Sequence, residues 1–265
     1  MGVRQRHETL VLLMAQNGYL TVKDLAQRLG VSEMTVRRDL QVLQMEGLAQ
    51  RMPGGGQVAG TAAEPSFMAK RLLQREQKEA IARTAKTLVE PRMTVGLTAG
   101  TTTWMLAKLL RAVSGLTVVT NSTNVALEFG QGYGGDIILT GGQFRTPSDA
   151  LVGPLAEASA RVLHTDLLFV GVHGLDVDAG LTTPNILEAS INRVLIEGSD
   201  RVVVVCDSTK WGVRALAQMA GIGLVDLVVS DSGLEPWLAV LEGAGVGVLL
   251  SKSVRDMEEE SDGRG

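Results

Sequence analysis

The sequence predicts an α/β protein in two parts, a small helical module followed by a larger domain built on a parallel sheet. Three observations carry this. From residue 93 onward, near-continuous Val/Ile/Leu runs alternate with helix-period segments, the pattern of a sheet covered on both faces. Ahead of them, residues 1–57 read as three short helices and a glycine-rich hairpin. The 31 glycines, set against 4 Phe and 2 Tyr, favour many tight strand-to-helix turns over an aromatic-rich β-sandwich.

Composition narrows the class. At 265 residues and 45% apolar content the chain can fill a real core and is expected to be a soluble globule. No stretch reaches the roughly eighteen apolar residues that a membrane span needs. Arg4 and Arg6 precede TLVLLMA, but Glu8 and the amphipathic continuation make this a first helix rather than a signal peptide. The lone cysteine, Cys206 in VVVVC, has no disulfide partner in the chain and reads as a buried strand residue, as expected in a reducing cytoplasm. His7, His164 and His173 are scattered, so neither a metal nor a cofactor is called for. Residues 1–60 hold seven Lys/Arg against five Asp/Glu, a balance of +2 that leaves −6 for the rest of a chain of net charge −4. Any affinity for a polyanion belongs to a local patch of this first segment.

The first helix runs through HETLVLLMAQ with Leu10, Leu13 and Met14 on one face, and Gly18 stops it. Thr21 and Asp24 have the T-x-x-D spacing of a helix start, Gly30 ends that second helix, and Ser32 is placed to cap a third from Glu33. On the third helix Val36, Leu40 and Leu43 point inward. Met34, Arg38 and Gln41 then face outward, with Thr35 and Arg37 on their flanks. That polar, cationic face suits a major groove: guanidiniums for phosphate or guanine, a carboxamide for adenine, a threonine for backbone or thymine methyl. LAQRMPGGGQV then gives two short extended segments around a PGGG turn, completing a winged helix-turn-helix in which Arg51 can reach phosphate or the minor groove. The arginine pair by itself fits a solvated helix face equally well. The caps, the turn, the outward set and the hairpin together favour the groove.

The run TVKDLAQRLGVSEMTVRRDLQVLQMEGLAQRMPGGG resembles the DNA-binding module of the DeoR/GlpR family of bacterial transcription repressors, whose signature V-S-x-x-T-[IV]-R-R-D-L precedes a Gly-Gly wing. The likeness covers residues 6–56 and implies that Ser32, Thr35, Arg37 and Arg38 meet a double-stranded operator, in a homo-oligomer. The family often has His-Gly-Gly in the wing where this chain has Pro53, Gly54 and Gly55.

Residues 1–57 are thus expected to form the DNA-binding domain, 58–75 a linker and the start of a connecting helix, 76–252 the larger domain and 253–265 a disordered acidic tail. The boundary itself is QVAGTAAEPS, and FMAKRLLQREQKEAIARTAKTLV beyond it reads as a broken or bent helix with Ile81, Ala85 and Leu88 on one stripe. Strands follow at MTVGL, LTVVT, DIILT, DLLFVGV, RVVVVC, DLVVS and VGVLL, with helices near 102–112, 155–162, 185–197 and 236–243. Ligands of such a sheet bind at the carboxyl ends of its strands. TAGTTT at 98–103 follows the first strand and opens a helix, where backbone amides favour an anion, and Lys210 in DSTK adds a positive charge. Each loop alone is an ordinary turn; several donor-bearing strand ends together favour an anionic, hydroxylated small ligand. GQGYGG at 130–135 satisfies G-x-G-x-x-G but follows a helix and precedes a strand, the reverse of the dinucleotide context, and reads as a loop.

The stretch from about 64 to 252 is similar to the effector domain of the same family, with GTTT, VVTNS, LTGG and DSTK in order. The resemblance implies a fold related to ribose-5-phosphate isomerases and a regulator of carbohydrate metabolism, a repressor, whose operator binding responds to a phosphorylated sugar or similar small anion. Carried over by position, Gly100, Thr101, Thr102 and Thr103 cradle the phosphate, while Asn121, Gly141, Gly142, Asp176 and Lys210 line the remainder. Members usually carry an acidic residue where this chain has Thr98. The alternative from another class is a sugar-phosphate isomerase with a DNA-binding appendage. Such enzymes place paired acids after the fourth strand, where this chain has Val170 and His173, although Asp176, Glu188 and Lys210 survive.

Overall fold

The computed structural model describes residues 1–59, 65–130 and 132–252, and the chain divides into two compact units, the first Met1–Arg75 with Thr146–Ser148, the second Glu76–Arg145 with the residues from Asp149 on. Half of the expected boundary run (residues 60–64), Gln131 of GQGYGG and the expected acidic tail lie outside the described residues. No helix among those described is long and apolar enough to cross a membrane.

The first unit contains α1 (Val3–Asn17), β1 (Leu20–Thr21), α2 (Val22–Leu29), α3 (Glu33–Met45), β2 (Ala49–Met52), β3 (Gly55–Val58) and α4 (Phe67–Lys70). Its core is Leu10, Val11 and Met14 of α1 packed with Leu25, Val36, Leu40 and Leu43. Leu13, expected on the inner face, is only half-buried at its border, and Val11 takes the place because α1 is covered by both α2 and β3. The helix boundaries follow from local chemistry. Thr21 Oγ1 accepts the Asp24 amide at 3.1 Å, and Ser32 Oγ accepts the Thr35 amide at 3.1 Å. Gly30, left-handed at φ 64°, closes α2 while the Val31 amide reaches back to the Ala26 carbonyl at 3.1 Å.

The hairpin β2–β3 is joined by Pro53 and Gly54 alone, since Met52 pairs with Gly55. A strand absent from the sequence reading, β1, pairs with the other side of β3 and makes the wing three-stranded, in the order β1-β3-β2. That pairing needs the second wing glycine. A Cβ on Gly55 would lie 2.2 Å from the Leu20 carbonyl oxygen and 2.8 Å from the Tyr19 ring, and the Tyr19 hydroxyl donates to the Pro53 carbonyl at 2.9 Å. The connecting segment is indeed broken, with α4 ending before residues 71–74 and Gln74 at φ 51°.

The second unit runs α5 (Arg75–Lys86), β4 (Thr94–Leu97), α6 (Thr101–Leu110), β5 (Thr117–Thr120), α7 (Thr123–Phe129), β6 (Asp136–Leu139), β7 (Gln143–Arg145), β8 (Ala150–Val152), α8 (Pro154–Ala160), β9 (Leu167–Val170), β10 (Gly174–Asp176), β11 (Gly180–Thr183), α9 (Ile186–Glu197), β12 (Val202–Val205), β13 (Ala217–Ala220), β14 (Leu227–Asp231), α10 (Leu238–Gly243) and β15 (Gly247–Ser251). Seven strands, all paired in parallel, form its sheet in the order β15-β14-β12-β9-β4-β5-β6. They are the seven apolar runs read from the sequence. The central strands β9 and β12 are buried throughout, which is why they lack polar alternation. Two small additions carry no such signal: the hairpin β7–β8 and the sheet β10-β11-β13. Burial pushes the Cys206 thiol far above its ordinary range, so it stays protonated at neutral pH.

Strand order fixes where the topology of the sheet reverses. From β4 the chain builds outward through β5 and β6 on one side, then returns to lay β9, β12, β14 and β15 on the other. The reversal falls between β4 and β9, and connections leaving neighbouring strands in opposite directions open a crevice at their carboxyl ends.

Candidate functional site

On α3 the outward set stands clear of the core. Met34, Arg37, Arg38 and Gln41 are exposed, Ser32 is exposed at the cap and Thr35 is half-buried beside it. The two hydroxyls lie 2.9 Å apart and hold the first turn of the helix together. Arg37 pairs with Glu33 at 3.5 Å across one exposed turn, a contact that water already weakens and that a phosphate would readily replace. Arg38 and, on β2, the exposed Arg51 have no ion pair or hydrogen bond among the described residues. Gly56 of the wing lies against Leu40, where a Cβ would approach to 3.0 Å, so β3 packs tightly on the helix that displays these side chains.

The inner face holds a group the sequence reading did not single out. Asp39, side chain 7% exposed, accepts from Arg6 Nη2 at 3.0 Å and from Arg6 Nε, and its Oδ1 lies 3.0 Å from His7 Nε2. Burial by itself would raise this carboxyl. The hydrogen bonds from Arg6 and His7 outweigh it and hold Asp39 below the usual carboxylate value, while the same contact raises the Arg6 guanidinium. The cluster ties the start of α1 to the middle of α3. Helical spacing could have flagged it, because Asp39 falls on the Val36–Leu40–Leu43 face, where a carboxylate is tolerated only with a cationic partner.

At the crevice of the second unit, the loop after β4 is held from both sides. Thr98 Oγ1 accepts the Gly171 amide at 3.0 Å, bridging the ends of β4 and β9. Asn121, at the end of β5, accepts the Ala99 amide at 2.9 Å and donates to the Leu151 carbonyl at 3.4 Å. A Cβ on Gly100 would crowd the Thr103 hydroxyl at 3.1 Å and would meet the Gly171 Cα in ordinary contact at 3.7 Å. No side chain caps α6, and the amides of Gly100, Thr101, Thr102 and Thr103 find no acceptor among the described residues. Among the described residues the hydroxyls of Thr101 and Thr102 have no hydrogen-bond partner either. Thr103 differs: its hydroxyl donates to the carbonyls of Thr98 and Gly100 at 2.7 and 3.0 Å, so it shapes the loop.

The remaining expected residues are distributed over neighbouring strand ends. Gly141 and Gly142 follow β6 at φ 70° and 113°. Lys210, in the short 3-10 turn after β12, is half-buried and has no partner among the described residues. Asp176 is committed locally, accepting the Asp178 and Ala179 amides at 2.9 Å each and pairing with Arg214 at 2.9 Å. Chiefly the Ala179 amide, opposed by burial and aided by Arg214, lowers its carboxyl below the ordinary value. Glu188 pairs with Arg145 at 2.8 Å and accepts from Thr183 at 3.0 Å, so it is not poised as a base.

A capped helix-turn-helix with an exposed cationic helix and a wing, in one chain with a parallel-sheet unit whose topological switch point presents donors unpaired among the described residues, defines a DNA-binding regulator with a small-molecule sensor. The chain belongs to the DeoR family of transcriptional regulators: residues 6–61 match the DeoR-like helix-turn-helix domain and residues 73–232 the DeoR C terminal sensor domain. It is a regulator and not an enzyme. Among its relatives, the HTH-type transcriptional regulator GlpR of Haloferax volcanii is 36% identical over 92% of this chain and 96% of its own length. The HTH-type transcriptional regulator GolR of Listeria innocua is 32% identical over 94% of this chain and 98% of its own. The glycerol-3-phosphate regulon repressor of Escherichia coli K12 is 31% identical over 88% and 92%. Among solved structures, a D-ribose-5-phosphate isomerase in complex with phospho-erythronic acid aligns at 19% identity over 52% of this chain and 54% of that one, with a TM-score of 0.39, too weak a likeness to argue from.

Proposed function

We propose that the chain is a repressor of carbohydrate-metabolism genes whose grip on its operator is set by a phosphorylated sugar or similar anionic metabolite held in the crevice between β4 and β9. The observation that carries this reading is the start of α6: four backbone amides and two threonine hydroxyls without acceptors among the described residues, at the switch point of a parallel sheet. Such a group of donors at a helix N-terminus binds anions. Lys210 supplies the opposite charge and Gly141 and Gly142 border the ligand, while Asn121, Thr98 and Thr103 hold the loop in shape. Asp176 orients the neighbouring turn. On the first unit, Ser32, Thr35, Arg37, Arg38, Gln41 and Arg51 meet the duplex. One such helix reads too few base pairs to select a site in a genome, so the protein acts as a homo-oligomer on a repeated operator. The effector then works only by its differential affinity for the DNA-competent and DNA-incompetent arrangements.

A thermal-shift screen of phosphorylated sugars, with inorganic phosphate and the unphosphorylated sugars as controls, tests the reading. A ligand at a hundred times its Kd adds about 2.7 kcal/mol, which for a domain of this size is about 5–10 °C. Lys210→Ala should remove most of that shift while leaving the melting temperature without ligand close to wild type. If no phosphorylated compound stabilises the protein, the crevice has been misassigned.

A further inference from the structure

The outward strip of α3 begins with a residue that lies outside the core. Met34 is 60% exposed and packs in neither the core nor its border. At 100° per residue it shares one strip with Arg38, Gln41 and Met45. A fully buried methionine would stabilise the fold, yet this one is displayed beside the Ser32 cap on an otherwise polar first turn. In a helix that enters the major groove it is the N-terminal residues that reach base edges. Met45 lies at the other end of the strip, about 16 Å away along the axis.

The major groove presents hydrogen-bonding groups at every base pair and only one apolar group, the 5-methyl of thymine. A thioether side chain laid against donors or acceptors would strip their water without replacing it. Against a methyl group it gains apolar burial, and its three rotatable bonds let it settle there. We infer that Met34 is a specificity-determining residue that reads the methyl group of one thymine per half-site. This rests on the reading of α3 as the helix that enters the groove.

The test begins with affinity selection from a random duplex pool, using the full-length protein. Wild type should enrich a site with a fixed thymine in each half. Met34→Ala should lose the preference at that position alone, and Met45→Ala should return the wild-type site. Replacing that thymine by deoxyuridine removes only the methyl group. Wild-type affinity should then fall about fivefold, and Met34→Ala should not notice the change. An unchanged Met34→Ala consensus, or a uracil duplex bound by wild type as tightly as the thymine one, overturns the assignment and leaves α3 as the reading helix. If wild type enriches no sequence at all, the reading of α3 falls and the Met34 assignment with it.

Discussion

Replacing Asp39 by alanine removes the charge that holds α1 against α3. Three hydrogen bonds, two from Arg6 and one with His7, lose their acceptor, and two basic side chains only 13% and 15% exposed are left facing one another. Breaking a buried ion pair from one side costs about 3–5 kcal/mol. Here both bases keep a path to water, so the lower end applies, about 3 kcal/mol. For a unit of this size that corresponds to a melting temperature lower by about 12–24 °C. Differential scanning calorimetry of the full-length protein measures the loss, and hydrogen exchange assigns it to α1 and α3. The contribution also has a pH signature. A carboxyl held below its unfolded value of about 3.9 stabilises fully above that pH and loses the effect as pH falls through the folded value. Wild type should lose stability in the first unit steeply below about pH 4, and Asp39→Asn should flatten that slope. An Asp39→Ala protein that melts within about 2 °C of wild type, with α3 equally protected, would refute the idea that this carboxylate anchors the helix.

Two other substitutions separate folding from recognition. Gly55→Ala should cost at least about 2 kcal/mol, because the added methyl meets backbone at Leu20 and must push β1 off β3; unchanged urea unfolding would show that the wing tolerates it. Arg38→Ala should weaken operator binding, reduce the slope of log affinity against log salt by about 1 and leave the melting temperature unaltered. A salt slope equal to wild type in gel shifts or fluorescence anisotropy would remove Arg38 from the phosphate-facing set.

Much of the molecule is written in short-range pattern. The caps at Thr21 and Ser32, the left-handed stop at Gly30 and the two faces of α3 depend on residues within about a turn of one another, so spacing alone discloses them. The seven sheet strands are legible because burial on both faces demands unbroken apolar runs. For the candidate site, the pattern locates the loops and the start of α6. It does not reveal how each side chain is used: Thr103, Asn121 and Asp176 are polar residues at the expected places whose groups serve mainly to hold loops.

The sequence by itself determined the two-part architecture, both ends of α2 and the start of α3, the exposed arginines and the identity of the sheet strands. Only the tertiary structure decided that β1 joins the wing, that Asp39 finds Arg6 across 33 residues of chain, and that β4 and β9 become neighbours with their loops bridged by Thr98. The physical reason is one of range. A strand of two or three residues and a buried charge are stable only through partners distant in sequence. The choice among possible partners is made by packing the whole core, where no local period records it.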